Sequence, residues 1–569
     1  MSSRVVLFIA KDSKASEAAK ALEALPFLRE HQGPPMTGKH IVSARLVCLG
    51  IWLIFSGCDR ARPSIPSPGV SPASANTEAP SEQVHQLCGA CHRFPPPDSF
   101  PRSAWKDQVQ QAYEFLKHPP RNNPPVLNRL TIPPQEQVLA YFENRAPEAL
   151  PVLASVTPST PAPVAFERVP LTDPMRPLRP AISNVNLVHL SDPRKLDLLV
   201  CDMRYGRVMA LKPYDPSPTW QILGEVSHPA HAEVVDLDGD GIPDILVADL
   251  GSFRPTEAHC GSVIWLRGDA AGNFTPIPLL QGVGRVADVQ AADFRGIGKL
   301  DLVVAVFGLR QTGEILYLEN RTTDWSHPVF QPHVLDDRTG GIHVPVTDLN
   351  GDGRPDFVAL ISQEHETVVA FLNEGVAGAE SSKPRFRKEI IYEAPHPAYG
   401  STGIQLIDLD SDGRLDVLYT NGDVFDDNIL KPYHGIHWLQ NHGRFPFEDH
   451  LLTSMYGVHR AVAADFQGTG RRDVVAVSLL PASAFPMRRN MNLDAVVYLE
   501  QVAPGRFVRH SLESVTCDHA TCVAGAWDGD GRTHLAIGNA CLFDQDRIAN
   551  SVTLWKNLGL SKRGQERND

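Results

Sequence analysis

Seven copies of one twelve-residue unit constrain this chain more than anything else in it. They are HLSDPRKLDLLV from His189, DLDGDGIPDILV from Asp236, DFRGIGKLDLVV from Asp293, DLNGDGRPDFVA from Asp348, DLDSDGRLDVLY from Asp408, DFQGTGRRDVVA from Asp465 and AWDGDGRTHLAI from Ala526. Their starts are 47 to 61 residues apart, a period typical of propellers and arrays. Each copy reads as an acidic loop running into an apolar strand. A second strand keeps the same beat, as in GRVMALKP at Gly206, GSVIWLRG at Gly261, GEILYLEN at Gly313, TVVAFLNE at Thr367 and SVTLWKNL at Ser551. A third element follows six of the seven, for example RFRKEIIYE from Arg385 and RFVRHSLES from Arg506.

The seventh copy lacks that third element because the sequence ends, yet AFERVPLTD from Ala165 matches it and precedes the first copy. A ring closed by its N-terminal strand leaves no open edge to aggregate. The expectation is a seven-bladed all-β propeller over residues 165–558, with an open solenoid of the same repeats as the alternative.

In Asp236-Leu-Asp238-Gly-Asp240-Gly241-Ile-Pro-Asp244, oxygens stand at loop positions 1, 3, 5 and 9, a carbonyl is available at 7, and Gly241 permits a sharp turn. That alternation turns carboxylates inward around a hard cation such as calcium. Asp348, Asn350, Asp352 and Asp356 repeat it, as do Asp408, Asp410, Asp412 and Asp416. An EF-hand is excluded, since position 12 is Val247, Leu360 or Tyr419 and a strand follows. The other four copies are degenerate: Arg295 and Ile297, Gln467 and Thr469, Ala526 and His534, or His189 and Arg194 replace acids or glycine. About three calcium ions are expected, not seven. The alternative is that the aspartates only cap turns.

Ahead of the repeats stands Cys88-Gly89-Ala90-Cys91-His92. Two thiols in this register add to the vinyl groups of a haem, and the following histidine reaches its iron. No second CxxC or histidine pair stands nearby to complete a zinc tetrahedron, and a thioredoxin-like site would need a βαβ setting. One covalent haem c is expected. Around the motif, Glu82–Leu87, Trp105–Lys117 and Pro134–Asn144 read as helices, with Trp105, Val109, Ala112 and Phe115 or Leu116 on one side of the second. No methionine occurs between Met36 and Met175, so His118 is the best local sixth ligand; His85 is too close to the motif.

The chain has 569 residues, too many for one core. A formal charge of −13 argues against nucleic acid or anionic lipid as a main partner. Residues 1–35 read as an over-long start. Lys39, His40 and Arg45, the apolar run Leu46–Phe55 and then Ser56-Gly57-Cys58 make residues 36–57 a signal peptide. It resembles a bacterial lipoprotein signal, which implies lipidation of Cys58, although Phe55 stands where that family usually has leucine. Residues 58–80 form a Pro/Ser-rich tether, 81–147 a small all-α haem unit, 148–164 a linker and 559–569 a tail. The nine cysteines include five, Cys201, Cys260, Cys517, Cys522 and Cys541, of which some should pair in an oxidising compartment.

The loops resemble the FG-GAP or VCBS repeats of integrin-α-like propellers, and residues 81–147 resemble a small cytochrome c. Together with the signal, they resemble exported bacterial cytochrome c–FG-GAP fusion proteins. The resemblance implies an extracytoplasmic, periplasmic or cell-surface, lipid-anchored protein. Its first functional expectation is electron transfer, with the propeller docking a redox protein or surface polymer while linkers let the haem unit swing. The others are a propeller oxidoreductase passing electrons to its fused cytochrome, and an adhesion or assembly protein with haem as sensor. His231, His343, His434, His437 and His459 lie near the repeats and could converge at a central channel. No catalytic set is evident.

Overall fold

A computed structural model of the chain describes residues 77–117, 129–153, 161–173, 179–376, 383–548 and 550–561. The signal, Cys58 and His118 lie outside them, as do most of the tether and about half of the 148–164 linker. Among the described residues, no helix is long and apolar enough to cross a membrane.

Seven four-stranded antiparallel sheets follow one another along the chain, one of them carrying a short extra strand. Their innermost strands are Ile182–Val188, Pro229–Val235, Val286–Ala292, Gly341–His343, Ser401–Ile407, Val458–Ala464 and His519–Gly525. Each second strand, for example Asp244–Asp249 or Asp473–Ser478, is buried along its whole length. These strands read as continuous Val/Ile/Leu/Ala runs because both faces of a blade press on neighbouring blades. The outermost strands alternate instead, as in Phe330–Asp336. Innermost strands shift register near their starts, between Ile182 and Asn184 in the first blade and Val458 and Arg460 in the sixth. A bulge bends a strand there, and its recurrence from blade to blade marks one repeated unit.

The ring closes as expected. Val164–Leu171 pairs antiparallel with Val552–Leu560, placing the first strand of the propeller outermost in the seventh sheet.

Among the described residues before the propeller stand three α-helices, α1 (Ser81–Cys88), α2 (Trp105–Lys117) and α3 (Gln135–Glu143). Pro80 and Pro134 open α1 and α3, where a missing N–H costs nothing. Val84, Leu87, Phe100, Trp105, Val109, Val138 and Phe142 form their core. The Trp105 ring stacks on Phe142 at 3.9 Å, and its Nε1–H donates to the Pro97 carbonyl at 2.9 Å.

This helical unit is seated on the propeller and does not stand off it. Tyr433 donates to the Ser99 carbonyl at 3.1 Å, Arg93 pairs with Glu393 at 2.6 Å, and Ala398 and Ile429 pack against the helical core. The Arg310 guanidinium lies 4.7 Å from the Phe115 ring centroid, and the Lys431 ammonium 5.4 Å from that of Phe100. The seat is built from second-to-third-strand turns and blade-to-blade connections. Successive antiparallel strands alternate direction, so these turns occupy the propeller end opposite the acidic first-to-second-strand loops.

The expected disulfides are absent among the described cysteines: Cys201, Cys260, Cys517, Cys522 and Cys541 all carry free thiols. The Cys517 thiol donates instead to the Leu493 and Asp494 carbonyls, at 3.8 and 3.6 Å, and the Cys541 thiol to the Asp546 carbonyl at 3.0 Å. Cys522 packs instead between the sixth and seventh blades beside Val475, Val477 and Ile537, and Cys201 beside Val247 and Leu266.

Candidate functional site

The last residue of α1, Cys88, and the turn after it, with Cys91 and His92, enter the wall of a cavity of about 240 Å³ between the helical unit and the propeller. Leu87, Phe100, Trp105, Val109, Leu116 and Phe142 give this side of the cavity an apolar lining. A Cβ added at Gly89 would lie 2.8 Å from the His85 carbonyl oxygen, so glycine there lets the turn close. His92 Nδ1 lies 2.8 Å from the Arg93 carbonyl. A carbonyl only accepts, so the proton is on Nδ1 and the Nε2 lone pair is left for a metal. Burial pushes the Cys88 thiol up to about 12 and also raises Cys91, so both are neutral thiols. Among the described lining residues, His92 is the single histidine and there is no methionine. His85 is engaged elsewhere, stacked on Phe94 at 3.8 Å with Nε2 3.1 Å from the Tyr141 hydroxyl.

The propeller supplies the opposite wall, and it is acidic: Glu364, Glu366, Asp423, Asp426 and Asp427 face the cavity with one lysine, Lys431. Lys431 pairs with Asp427 at 2.7 Å. Burial holds Glu366 up at about 8 against hydrogen bonds from Ser401, and burial together with Asp426 holds Asp423 at about 7. Behind them, burial and then Lys431 keep His434 well below its ordinary value and His396 at about 4. The repeat motifs did not signal this acidic wall, because its residues lie in the irregular turns between them.

At the other end of the propeller, the loops bring carboxylates together. Oxygens of Asp236, Asp238 and Asp244 lie within 4.8 Å of one another, as do those of Asp408, Asp410 and Asp416. The fifth-position side chains Asp240, Asp352 and Asp412 instead accept backbone N–H groups two residues on, at 2.8, 3.0 and 2.9 Å. Asp348 accepts the N–H groups of Gly351 and Gly353, both at 2.8 Å, while Asn350 and Asp352 hydrogen-bond each other at 3.0 Å.

Position 9 has a second task that its motif does not reveal. Asp244 accepts the N–H of Leu237 at 3.0 Å and of Gly268 at 2.8 Å, tying the loop to the third strand. Asp356 and Asp416 do the same with Leu349 and Asn373, and with Leu409 and Asn441. Burial raises all three carboxyls, Asp416 to about 6, with help from Asp238, Asp352 and Asp410 respectively.

Three degenerate loops provide their own donors. Arg295 grips Asp301 with Nε and Nη2 at 2.9 and 2.7 Å. Gln467 Nε2 lies 3.1 Å from both oxygens of Asp473. His534 Nδ1 accepts the N–H of Asn557 at 3.0 Å, so its proton is on Nε2, 2.8 Å from Asp528. Asp528, Asp530 and His534 cluster as tightly as the acidic loops, but in this tautomer an N–H rather than a lone pair is turned toward the carboxylates.

The five histidines do not converge. His231 and His343 meet across Asp288 on three successive inner strands, with Nδ1–oxygen distances of 2.6 and 3.9 Å. His459 turns its Nδ1 to the Ala520 carbonyl of the seventh blade at 3.1 Å. His434 and His437 belong to the fifth blade away from its inner strand, His437 bonding Asp449 at 2.8 Å.

The family described as FG-GAP-like repeat matches residues 236–304 and 348–419, each stretch beginning at a full acidic loop. The chain thus carries FG-GAP-like repeats folded as a seven-bladed propeller. Among solved structures it is similar to the V. cholerae biofilm matrix protein Bap1, with 11% identity over 70% of this chain and 91% of that one and a TM-score of 0.36. It is also similar to a putative 6-phosphogluconolactonase from Bacteroides uniformis, with 13% identity over 58% and 88% and a TM-score of 0.36. No curated protein matches the chain.

Proposed function

We propose that this protein is an extracytoplasmic c-type haem electron-transfer protein whose calcium-stabilised propeller docks a partner. The observation that carries the reading is Cys88, Cys91 and His92 opening together onto one cavity whose helical side is apolar, with His92 Nε2 left free by the Nδ1 bond to Arg93. Cys88 and Cys91 would hold the haem by thioethers and His92 its iron, and the bound group would supply a one-electron couple. The residues do the rest: Trp105, Val109 and Phe142 exclude water, the Arg93 carbonyl orients His92, and the propeller closes the far side. A small cytochrome c is the class of unit that Ser81–Pro147 would then form. His118 is the proposed sixth ligand, lipidation of Cys58 the proposed anchor, and a redox protein or surface polymer the proposed partner.

Calcium is proposed at the loops at Asp236, Asp348 and Asp408; in the first and last, oxygens of the first, third and ninth positions lie within 4.8 Å of one another. The test of the whole reading is expression in a host that matures c-type cytochromes. Haem that stays with the denatured polypeptide, and shows reversible reduction in the visible spectrum, supports it; a chain that matures without haem ends it.

A propeller oxidoreductase feeding its own haem is the second reading, favoured by the acidic wall facing the CxxCH segment across one cavity. Reduction of the haem by sugars or alcohols, with no protein donor present, would select it.

A further inference from the structure

Glu366 occupies an unusual position. It ends the turn Ser362–Glu366 of the fourth blade, where it and Gln363 both adopt left-handed backbone, with φ of 45° and 58°. Neither is glycine, so the turn is strained, and strain of this kind collects where a side chain must be held in place. Ser401 on the fifth blade's inner strand donates its N–H to Glu366 Oε2 at 2.7 Å, and its hydroxyl bonds the same oxygen. The Tyr419 hydroxyl lies 2.6 Å from that serine oxygen.

The charged groups around Glu366 are mostly of its own sign. Its own turn brings Glu364. The fifth blade's second-to-third-strand turn brings Asp423, whose charge adds to the rise of Glu366, and Asp426 and Asp427. The one cation among the described residues there, Lys431, is matched to Asp427 at 2.7 Å. Behind stand the hydroxyls of Tyr392, Tyr399, Tyr419 and Tyr433, all raised chiefly by burial, and the neutral rings of His396 and His434. The helical unit contributes Cys88, Cys91 and His92 across the cavity. Two buried carboxyls, Glu366 and Asp423, thus share a low-dielectric wall opposite the residues that would hold the haem, and the lysine beside them is bonded to a third.

We propose that Glu366, with Asp423 beside it, takes up a proton when the haem site takes up an electron. This rests on the reading of Cys88, Cys91 and His92 as a haem attachment site. An external one-electron donor would be oxidised, and the haem, once bound by Cys88, Cys91 and His92, would take up its electron. The carboxylate gains a proton from solvent, forming one O–H bond, so the added electron is neutralised inside the cavity. Burial strengthens the coupling, because charges in a low-dielectric site are poorly screened. The values near 8 and 7 place both groups where protons are exchanged around neutral pH.

The test is a potentiometric titration of the full holo-protein between pH 6 and 9, followed in the visible spectrum. The reduction equilibrium should fall with rising pH by up to tenfold per unit, or about 59 mV for a one-electron couple. Glu366→Gln should flatten that slope and Asp423→Asn reduce it. A slope equal to that of the wild type in both variants overturns the proposal, because the proton then goes elsewhere, such as to a haem carboxylate. Should Glu366→Gln not fold, the reduced-minus-oxidised infrared spectrum of the wild type decides. A protonated-carboxyl band that grows on reduction and shifts in D2O supports the proposal, and its absence overturns it. A wild type without covalent haem overturns the attachment reading instead, before any potential is measured.

Discussion

Arg295 and Asp301 form a two-point ion pair inside the third blade's loop, at 2.9 and 2.7 Å, where the neighbouring loop of the second blade presents acids at both positions. Both side chains are nearly inaccessible, so the guanidinium does internally what a calcium ion would do in the loops at Asp236 and Asp408. Arg295→Ala should therefore cost about 3–5 kcal/mol, the usual result of stranding one partner of a buried pair, read as a loss in urea-denaturation midpoint. Arg295→Asp puts a carboxylate at the third loop position, between Asp293 at the first and Asp301 at the ninth. That variant should be destabilised in chelator and regain stability in millimolar calcium. Equal stability with and without calcium would refute the equivalence.

The three full loops predict three calcium ions. Equilibrium dialysis should find about three per chain, and Asp238→Ala and Asp410→Ala should each remove one. Ion occupancy at a hundred times the dissociation constant stabilises by about 2.7 kcal/mol per site, so chelation should lower the propeller's Tm measurably. Asp244→Ala should do more damage than Asp238→Ala even in chelator, because it also orphans the Leu237 and Gly268 N–H groups.

Cys88→Ser with Cys91→Ser should abolish haem that survives denaturation while leaving the propeller's β-sheet circular dichroism intact. Trp105→Ala should cost about 3–5 kcal/mol in the helical unit, through loss of the Phe142 stack and the Pro97 bond. Its effect should be confined to one of two unfolding transitions, monitored by calorimetry.

Stability should also depend on pH through Glu366. Unfolded, this carboxyl loses its proton near 4.5; folded, burial delays the loss to about 8. Between those values the unfolded chain has released a proton that the folded chain retains, so stability falls as pH rises through that window. At about 1.36 kcal/mol per pH unit the full effect is on the order of 5 kcal/mol. Glu366→Gln should be the more stable protein at pH 8 and lose that difference near pH 4.5, by urea denaturation at each pH.

Much of this was legible in the residues alone. The recurring acidic-loop pattern, the displaced strand at Ala165 and the helices around CGACH each depend on local chemistry: turn glycines, apolar periodicity and prolines at helix starts. Such signals are carried by neighbours in the chain, and Val164–Leu171 pairs with Val552–Leu560 as its sequence match to the missing strand implies. The cysteines misled because an oxidising compartment permits pairing without bringing two thiols together; Cys522 and Cys201 are held in separate apolar contacts between blades.

What the tertiary structure alone decided is where these parts meet. Nothing within Cys88–His92 indicates that the cavity it enters is closed by a propeller, or that Glu366 and Asp423, 57 residues apart in the sequence, share its far wall. Nor does the motif show that its ninth aspartate ties loop to strand, or that Arg295 and His534 replace a cation with a donor of their own. Those facts depend on which irregular turns a closed ring brings together, and on burial, which changes the protonation of a carboxyl without changing its sequence.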